Sequence, residues 1–284
     1  MIKSPLNYIG GKSKLLKQLI PLFPKNINNF IDLFAGGCNV GLNVKAEQHY
    51  FNDNLVPLIN LYKTFLSSNT DDTIKYIKNR ISELKLSKQN KQGYNQLRFE
   101  YNKTKEPLDL FVLICFSFNH QIRYNNKHEF NVPFGKDRSS FNVSTETNLI
   151  QFIKKIKSIN TKFSSFDFNE FNFNNLTIND FVYCDPPYLI TTGSYNDGKR
   201  GYKGWTNKEE TQLLEKLDKL HEKNIRFGLS NVIKHKDREN EILLQWIKNN
   251  DNYFINYLKM NYSNSNYQSK KMNSVEVLIT NYLP

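Results

Sequence analysis

Residues 181–188 read Phe-Val-Tyr-Cys-Asp-Pro-Pro-Tyr, a hydrophobic run followed by an acid, two prolines and a tyrosine. The hydrophobic run predicts a short buried strand. Because a proline has no N–H and a fixed φ, Pro186 and Pro187 lead the chain out of the sheet in one conformation. The Asp185 carboxylate and the Pro186 carbonyl then remain as neighbouring hydrogen-bond acceptors, a pair that suits an –NH2 group with its two hydrogens.

This pair of acceptors predicts chemistry on an amino group. The exocyclic N6 of adenine is a poor nucleophile because its lone pair is delocalised into the ring. Acceptors at Asp185 and Pro186 that bind both hydrogens favour a pyramidal nitrogen, whose localised lone pair can attack the methyl group of S-adenosylmethionine in line. Tyr188 offers an aromatic face for stacking on the base. The structural alternative, a strand-end turn with a surface acid, carries little weight because all four residues directly follow an apolar strand.

Composition and charge favour a nucleic-acid partner. The chain has 284 residues, of which 39% are hydrophobic, enough for the core of one large domain or two modest ones. Its formal net charge is +12. An excess of positive charge of this size favours DNA or RNA as a partner over general surface basicity.

Metal chemistry and membrane insertion are not expected. Cys38, Cys115 and Cys184 lie among apolar residues without metal-ligand spacing, which predicts buried thiols in a reducing compartment. The five histidines are scattered singly, so no zinc site is predicted. The N-terminal sequence lacks the apolar core of a signal peptide, and no apolar run approaches the length of a membrane span. We therefore expect a cytoplasmic protein.

Apolar runs of strand length alternate with helical periodicity and predict an α/β fold with a largely parallel sheet. The runs lie at residues 30–34, 49–51, 163–168, 181–184, 225–229, 253–258 and 275–280. The fifth is expected to end at Ser230-Asn231, and a polar loop, 261–273, separates the last two. Thr206 and Glu209 form a capping box that opens a helix. The block from about residue 58 to 142 breaks this rhythm, being helical and irregular, and we interpret it as an insertion.

A glycine loop and an acid predict a nucleotide site. Gly36 and Gly37 follow the first strand and Asp53 follows the next, which is the nucleotide-binding order. The glycine spacing does not match the dinucleotide fingerprint GxGxxG. Residues 10–12, Gly-Gly-Lys, do not form a phosphate-binding P-loop because no buried strand precedes them. Lys12 taken alone is typical of an exposed lysine at a helix start, and it is a candidate partner for a cofactor carboxylate.

Together these motifs resemble those of the Dam-type DNA adenine-N6 methyltransferases, the D12 class of the alpha group. The matching segments occur in the family's order: YIGGK at 8–12, DLFAGG at 32–37, ND at 52–53, FNVPFG at 130–135, DF at 167–168, DPPY at 185–188 and LSN at 229–231. DPPY and FNVPFG are specific, whereas GGK and SN are weak alone. The resemblance covers nearly the whole chain.

The resemblance implies a Rossmann-like class I methyltransferase sheet of seven strands. It implies a discontinuous catalytic domain of residues 1–57 and 145–284 that binds S-adenosylmethionine and releases S-adenosylhomocysteine, and a mainly helical target-recognition domain of residues 58–144 that binds double-stranded DNA. The implied catalytic residues are Asp185, Pro186, Pro187 and Tyr188. The implied cofactor-binding residues are Tyr8, Lys12, Phe34, Gly36, Asp53, Asp167 and Phe168, with Asp167 accepting from the adenine amino group. Asn119 and Arg123 match the loop that inserts into DNA.

Base flipping follows from the pairing of N6 inside a duplex and costs roughly a few kcal/mol. Asn119, His120 and Gln121 are candidates to fill the vacated space. Arg123 suits a bidentate contact to guanine, and a phosphate contact or a surface ion pair is an equal alternative. Residues 195–205 are interpreted either as a loop that closes over the flipped base or as an ordinary surface loop.

Three departures from the family pattern bear on the target. Cys38 stands where a second glycine of the loop is common; it is small, so the turn should survive. His120-Gln121-Ile122 replace the glycine and apolar residue usual before the arginine in GATC-methylating members, and Asn7 replaces a basic residue. The sequence therefore leaves open whether the target is GATC or another site.

Two other functions stay open. One keeps the acceptor pair but changes the substrate to cytosine N4, RNA or a protein amide. The other is a catalytically silent DNA-binding relative. The sequence also leaves open the oligomeric state, a monomer among the choices, and whether a cognate restriction endonuclease exists.

Overall fold

The computed structural model describes residues 1–8, 10–191, 204–259 and 274–284, and within them a single sheet of eight strands. The strands are β1 (Asn29–Asp32), β2 (Gln48–Asn52), β3 (Thr161–Ser164), β4 (Phe181–Cys184), β5 (Arg226–His235), β6 (Arg238–Glu239), β7 (Phe254–Leu258) and β8 (Ser274–Thr280). Their order is β3-β2-β1-β4-β5-β8-β7, with β6 paired to β5. The first five in that order are parallel, and β8 is antiparallel to both neighbours. This topology confirms the predicted α/β, Rossmann-like fold.

Eight α-helices accompany the sheet in the described residues. They are α1 (Leu16–Leu19), α2 (Val56–Ser67), α3 (Thr70–Glu83), α4 (Lys91–Thr104), α5 (Pro107–Phe116), α6 (Val143–Ser158), α7 (Asn207–Glu222) and α8 (Glu241–Lys248). Helices α2 to α5 follow one another between β2 and β3, where the helical insertion is predicted. The division into two domains at residues 57 and 144 stays a prediction.

Local sequence explains where the helices begin. Four of them start at an asparagine whose side-chain oxygen accepts from a backbone N–H of the first turn: Asn69, Asn90, Asn142 and Asn240. The predicted capping box is present at α7, where Thr206 and the third helical residue bond each other's backbone N–H groups. The many asparagines of this chain thus satisfy backbone donors that would otherwise lack partners.

Two strand boundaries differ from the prediction. β5 does not end at Ser230-Asn231 but continues to His235, because β8 pairs with it in an antiparallel ladder beyond that point. β3 ends at Ser164, before the predicted 168. There the Asn52 side chain takes over from the ladder: its amide bonds the backbone N–H and C=O of Phe166 at 3.0 and 2.9 Å. This side-chain bridge carries the following residues, 167 and 168, to the edge of the sheet.

A continuous core joins the inserted helices to the sheet. Tyr62 of α2 packs on Phe152 of α6 and on Phe163 of β3, with ring centroids 5.3 and 5.5 Å apart. Phe65 of α2 meets Phe111 of α5 edge to face at 5.7 Å. All five rings belong to one hydrophobic cluster. Aromatic pairs of this kind contribute about 0.5–1.5 kcal/mol each beyond their buried area, so the helical block is held in a defined place against the sheet.

The prediction for the cysteines can be checked in this architecture. The three cysteines are free and buried, as predicted for structural thiols. Among the described residues, no group of three or more His, Cys, Asp and Glu side chains is arranged to hold a metal ion. No helix in the described ranges combines the length and the apolar character that crossing a membrane requires.

Candidate active site

The carboxyl ends of β1, β2 and β4 meet at one edge of the sheet and border a cavity of about 450 Å³. The strand order reverses between β1 and β4, because β2 and β3 extend the sheet on one side of β1 and β4 and β5 on the other. Open α/β sheets bind ligands at such a switch point. Segments from across the chain line the cavity: 6–8, 10–12, 32–37, 52–55, 120–124, 166–168, 185–188 and 204–205. All catalytic and cofactor-binding residues predicted from the sequence lie on this wall.

The glycine loop after β1 needs glycine at one position. Gly36 has φ +47°, and a Cβ there would lie 2.8 Å from the Cε1 of Tyr8. Its N–H donates to Asp53 Oδ2 at 2.9 Å, and its carbonyl accepts from the Tyr62 hydroxyl at 2.8 Å. The loop is therefore clamped from both sides while its surface faces the cavity.

Cys38 closes the same turn. It adopts φ +58°, and its N–H donates to the Ala35 carbonyl at 2.6 Å. A non-glycine residue in this left-handed region costs roughly 1–2 kcal/mol. The turn survives the cysteine, as predicted. Burial raises the pKa of the Cys38 thiol well above its usual value, so the side chain is inert.

Asp53 supports the loop with both carboxylate oxygens. Oδ2 accepts from the Gly36 N–H, and Oδ1 accepts from the Leu55 N–H at 2.9 Å. Burial raises its pKa, while the two backbone hydrogen bonds act in the opposite direction. The carboxylate lines the cavity. The predicted contact of Asp53 with ribose hydroxyls stays a prediction.

Three aromatic rings form one side of the cavity. Phe34 lies 5.7 Å from Phe168 and 5.6 Å from Trp205, and the last two rings are 5.4 Å apart. The Trp205 indole N–H donates to Glu210 at 2.7 Å. Trp205 was missed as a pocket residue because it lies in the segment interpreted as a closing loop, of which residues 195–203 fall outside the described ranges. The available signal was the position of Trp205 directly before the Thr206 capping box. A hydrophobic residue before an N-cap often packs against the start of the helix and fixes the angle at which the chain enters it.

The residues after β4 form a charged cluster with two distant parts of the chain. Asp185 Oδ1 accepts from the Tyr188 hydroxyl at 2.8 Å and pairs with Lys12 Nζ at 2.9 Å. Lys12 is only 5% exposed, and its ammonium also reaches the Gly10 carbonyl at 3.1 Å. Lys12 is thus buried, whereas the sequence around it alone is typical of an exposed lysine at a helix start. Its contact with the cofactor carboxylate stays a prediction.

Glu276 of β8 completes this cluster. Its Oε1 accepts from the Tyr188 hydroxyl at 3.1 Å and lies 3.3 Å from Lys12 Nζ. Burial lowers the pKa of Lys12, but the charges of Asp185 and Glu276 outweigh it, so the pKa is raised and the ammonium stays protonated. Sequence reasoning missed Glu276. The signal was a single acid inside the apolar run of residues 275–280. We refer below to Lys12, Asp185, Tyr188 and Glu276 as the charged cluster.

Asp32 ends β1 at the bottom of the cavity. Burial, followed by the charge of Asp185, raises its pKa to about 8. Its Oδ2 accepts a long hydrogen bond of 3.4 Å from the Gly41 N–H. At neutral pH the carboxyl group of Asp32 is therefore largely protonated in this arrangement.

The family segment Ser230-Asn231 is buried behind the site. The Ser230 hydroxyl shares a 2.8 Å hydrogen bond with that of Tyr183. Asn231 donates to Glu210 at 3.0 Å, the same carboxylate that holds Trp205. These two residues thus support the site from below rather than line it.

A loop from the helical block reaches the same cavity. We call residues 118–124 the target loop; its residues 120–124 line the cavity. Asn119 and His120 both adopt positive φ, +54° and +53°. Phe118 is 41% exposed, and sequence reasoning missed it as a candidate for contact with DNA.

Arg123 is held by the segment FNVPFG. Its Nε donates to the Asn131 side-chain oxygen and its Nη2 to the Asn131 carbonyl, both at 2.8 Å. Phe130 pairs with Tyr124 across a β-bridge, and Phe134 pairs with Ser117. The segment at 130–135 thus shapes the target loop and orients its arginine.

The whole arrangement matches one family of enzymes. The family model described as "D12 class N6 adenine-specific DNA methyltransferase" matches residues 8–279. The chain belongs to this family. The resemblance inferred from the sequence motifs is thereby confirmed.

Several curated proteins resemble the chain. It is 50% identical to the modification methylase StsI of Streptococcus sanguinis and to the type II methyltransferase M.FokI of Planomicrobium okeanokoites, in each case over 99% of the chain but 43% of the relative. It is 28% identical to the DNA adenine methylase of Escherichia coli K12, over 80% of the chain and 79% of the relative. The chain therefore spans less than half the length of its two 50%-identical relatives.

Proposed function

We propose that the chain transfers a methyl group from S-adenosylmethionine to the N6 amino group of adenine in duplex DNA. The observation that carries the proposal is that Asp185 and Pro186 line the same cavity as the glycine loop. The acceptors for an amino group and the candidate site for the methyl donor therefore share one chamber. Membership of the D12 family supports the same reaction.

The cavity residues fit an adenosyl cofactor. Phe34, Phe168 and Trp205 offer apolar faces to an adenine ring, and the Asp53 and Asp167 carboxylates supply acceptors for hydroxyl and amino groups. When bound, S-adenosylmethionine supplies an electrophilic methyl group on a positively charged sulfur and leaves as S-adenosylhomocysteine. No metal ion is required for this reaction.

Asp185 and the Pro186 carbonyl bind the two hydrogens of the amino group and aim its lone pair at the methyl carbon. A bond forms between N6 and that carbon as the carbon–sulfur bond breaks, and the electron pair of the broken bond stays on sulfur. N6 then carries the positive charge and releases one proton to water. Tyr188 stacks on the base, and the rigid turn at Pro187 holds its ring in place.

The target loop supplies the contacts to DNA. Adenine must leave the duplex to reach Asp185, which costs a few kcal/mol. Asn119 and Phe118 are the candidates to fill the gap, and the exposure of both side chains supports this role. Arg123 is oriented for a guanine or a phosphate by its two hydrogen bonds to Asn131.

Location and partners follow from the reaction. Bacterial DNA lies in the cytoplasm, where we place the enzyme. One chain carries both the cofactor wall and the target loop, so a monomer suffices for a single transfer. Two relatives are named modification methylase and type II methyltransferase, which supports a role beside a cognate restriction endonuclease.

Methyl-labelled S-adenosylmethionine and unmodified duplex DNA test the proposal. After digestion to nucleosides, mass spectrometry should find the label in N6-methyldeoxyadenosine, and sequencing of the modified fragments should reveal one short site. Label in N4-methyldeoxycytidine, or transfer only to RNA, would move the activity to another amino group. DNA binding without any transfer would make the chain a catalytically silent relative.

A further inference from the structure

Asp185 is engaged before any substrate arrives. Its Oδ1 receives the Tyr188 hydroxyl at 2.8 Å and the Lys12 ammonium at 2.9 Å. A carboxylate oxygen has about two lone pairs, so an amino group can bind Oδ1 only by displacing one of these donors. An amino group at Oδ2 meets a carboxylate whose charge is already drawn toward Lys12. In either case Lys12 and Tyr188 weaken Asp185 as an acceptor.

Glu276 offers both donors a second acceptor. Its Oε1 is 3.1 Å from the Tyr188 hydroxyl and 3.3 Å from Lys12 Nζ, a few tenths of an ångström farther than Asp185 Oδ1. A small shift of the two donors therefore exchanges one carboxylate for the other. Neither donor has to lose its partner when Asp185 turns to a substrate.

Packing alone does not call for a carboxylate at this place. Glu276 is 7% exposed and its neighbours Val277, Leu278 and Ile279 are fully buried. An apolar side chain would satisfy such a core without the cost of removing a charge from water. The contacts of Glu276 with Lys12 and Tyr188 are what compensates this cost.

The net charge of the charged cluster also supports a role for Glu276 in the methyl transfer. Asp185 and Glu276 contribute two negative charges and Lys12 one positive charge, so the cluster is negative by one. Methyl transfer moves a positive charge from sulfur to N6, toward Asp185. A net negative cluster stabilises that movement. Without Glu276 the ammonium would neutralise Asp185, and the stabilisation would disappear.

We propose that Glu276 is a positioning residue of the methyl transfer, which takes the Lys12 ammonium and the Tyr188 hydroxyl from Asp185 so that Asp185 can bind the amino group of the base. This role deepens the proposed function and depends on it. Glu276 does not touch the substrate; it acts through its two donors.

Two substitutions separate this role from a structural one. Glu276→Gln keeps the size of the side chain and removes its charge. Glu276→Asp keeps the charge and withdraws it by one methylene group. If the charge of Glu276 matters, kcat should be highest in the wild type, lower in E276D and lowest in E276Q. A packing role ranks E276Q close to wild type and E276D lowest, because only the shorter side chain leaves a void.

The measurement is the kcat and the DNA KM of the 284-residue chain with labelled S-adenosylmethionine, beside the melting temperature of each variant. For E276Q we expect kcat to fall about 10- to 100-fold, with the KM for DNA and the affinity for S-adenosylhomocysteine within about threefold of wild type. Glu239→Gln is the matched control, since it removes one exposed carboxylate from the same sheet, at β6. Its kcat should stay within about twofold of wild type.

Each outcome decides. A wild-type kcat in E276Q, or a lower kcat in E276D than in E276Q, would overturn the positioning role. Methylation by the wild type in the same assay would still support the proposed function. A wild type that methylates no adenine would overturn both. If E276Q does not fold, Glu276→Leu replaces it as the uncharged variant, since an apolar side chain suits this core: a kcat below that of E276D supports the role, and a kcat equal to or above that of E276D overturns it.

Discussion

The catalytic edge of the sheet and the target loop each hold one cation, and they hold it differently. Lys12 is buried between two carboxylates, Asp185 and Glu276. Arg123 is partly exposed, and the bonds that orient it come from Asn131, a neutral residue. Both cations are held in one orientation. The groups that orient Lys12 also neutralise its charge, whereas Asn131 orients Arg123 without neutralising it.

This difference suits the two tasks of the proposed function. Chemistry at N6 needs charges that are already in place and dry, because a low-dielectric site strengthens them and nothing has to reorganise during the reaction. Reading DNA needs a cation whose charge is still available to a phosphate or to a guanine edge. Phe118 and Asn119 are exposed, which suits the second task.

The largest effect is expected at the catalytic edge, from Asp185→Ala. Loss of this carboxylate should lower the rate of methylation by about 10³-fold or more, since Asp185 is one of the two acceptors proposed for the amino group. Binding of S-adenosylhomocysteine, measured by calorimetry, should largely persist. The control is Asp237→Ala, which removes an exposed acid after β5. Full activity in D185A would remove Asp185 from the mechanism.

A second test concerns the loss of folding stability that the buried carboxyl group of Asp32 causes at this edge of the sheet. The pKa of Asp32 is about 8 in the folded chain, against an ordinary value of 3.8. Between those values the unfolded chain releases the proton that the folded chain keeps, so the free energy of unfolding falls as pH rises from about 4 to 8. Asp32→Asn removes this cost. Relative to wild type, D32N should gain a few kcal/mol of stability between pH 5 and pH 8.

Urea unfolding of both proteins at the two pH values, without cofactor, measures this change. Asp251→Asn, an exposed acid, should show no such dependence on pH. An equal difference between D32N and wild type at pH 5 and pH 8 would mean that Asp32 titrates normally.

The target loop should respond in specificity rather than in rate of chemistry. If Arg123 reads a guanine, Arg123→Ala should relax preference at one base position by roughly 1–3 kcal/mol. Methylation of a randomised DNA library measures this directly. Lys127→Ala removes a charge from an exposed position just beyond the loop and should leave the preference unchanged. Uniformly weaker binding with unchanged preference in R123A would assign the arginine to a phosphate.

The smallest effect is expected at the aromatic wall. Trp205 and Trp246 are the two tryptophans of the chain. Cofactor binding should change the fluorescence of Trp205, which lines the cavity, so the signal should persist in Trp246→Phe and vanish in Trp205→Phe. The affinity of W205F for S-adenosylhomocysteine should fall by about 1 kcal/mol. A signal that survives in W205F would place the cofactor away from this ring.

Much of the site could be predicted because its signals are local. The Asp-Pro-Pro-Tyr turn, the Gly36 loop and the Thr206 capping box each depend on residues within a few positions of one another. The turn at Cys38 also formed as expected. Local propensity predicted the existence of most strands, and it was least accurate at their ends, as at Ser164 and His235, where a distant partner extends or stops the ladder.

What escaped prediction depends on distant pairing. Glu276 reaches Lys12 only because β8 pairs with β5 in one register, and a slip of one residue would turn its side chain to the other face of the sheet. Trp205 joins Phe34 and Phe168 through the sheet edge, and no spacing in the sequence links the three.

The sequence by itself determined the candidate chemistry: which groups can accept hydrogen bonds from an amino group, where the backbone turns tightly and which acid follows which strand. Only the tertiary structure decided which charges face one another, that Lys12 is buried between two carboxylates and that Arg123 is not. The reason is that hydrogen-bonding capacity and backbone freedom belong to single residues and short segments, whereas burial and the energy of a charge depend on everything that folding brings within a few ångströms.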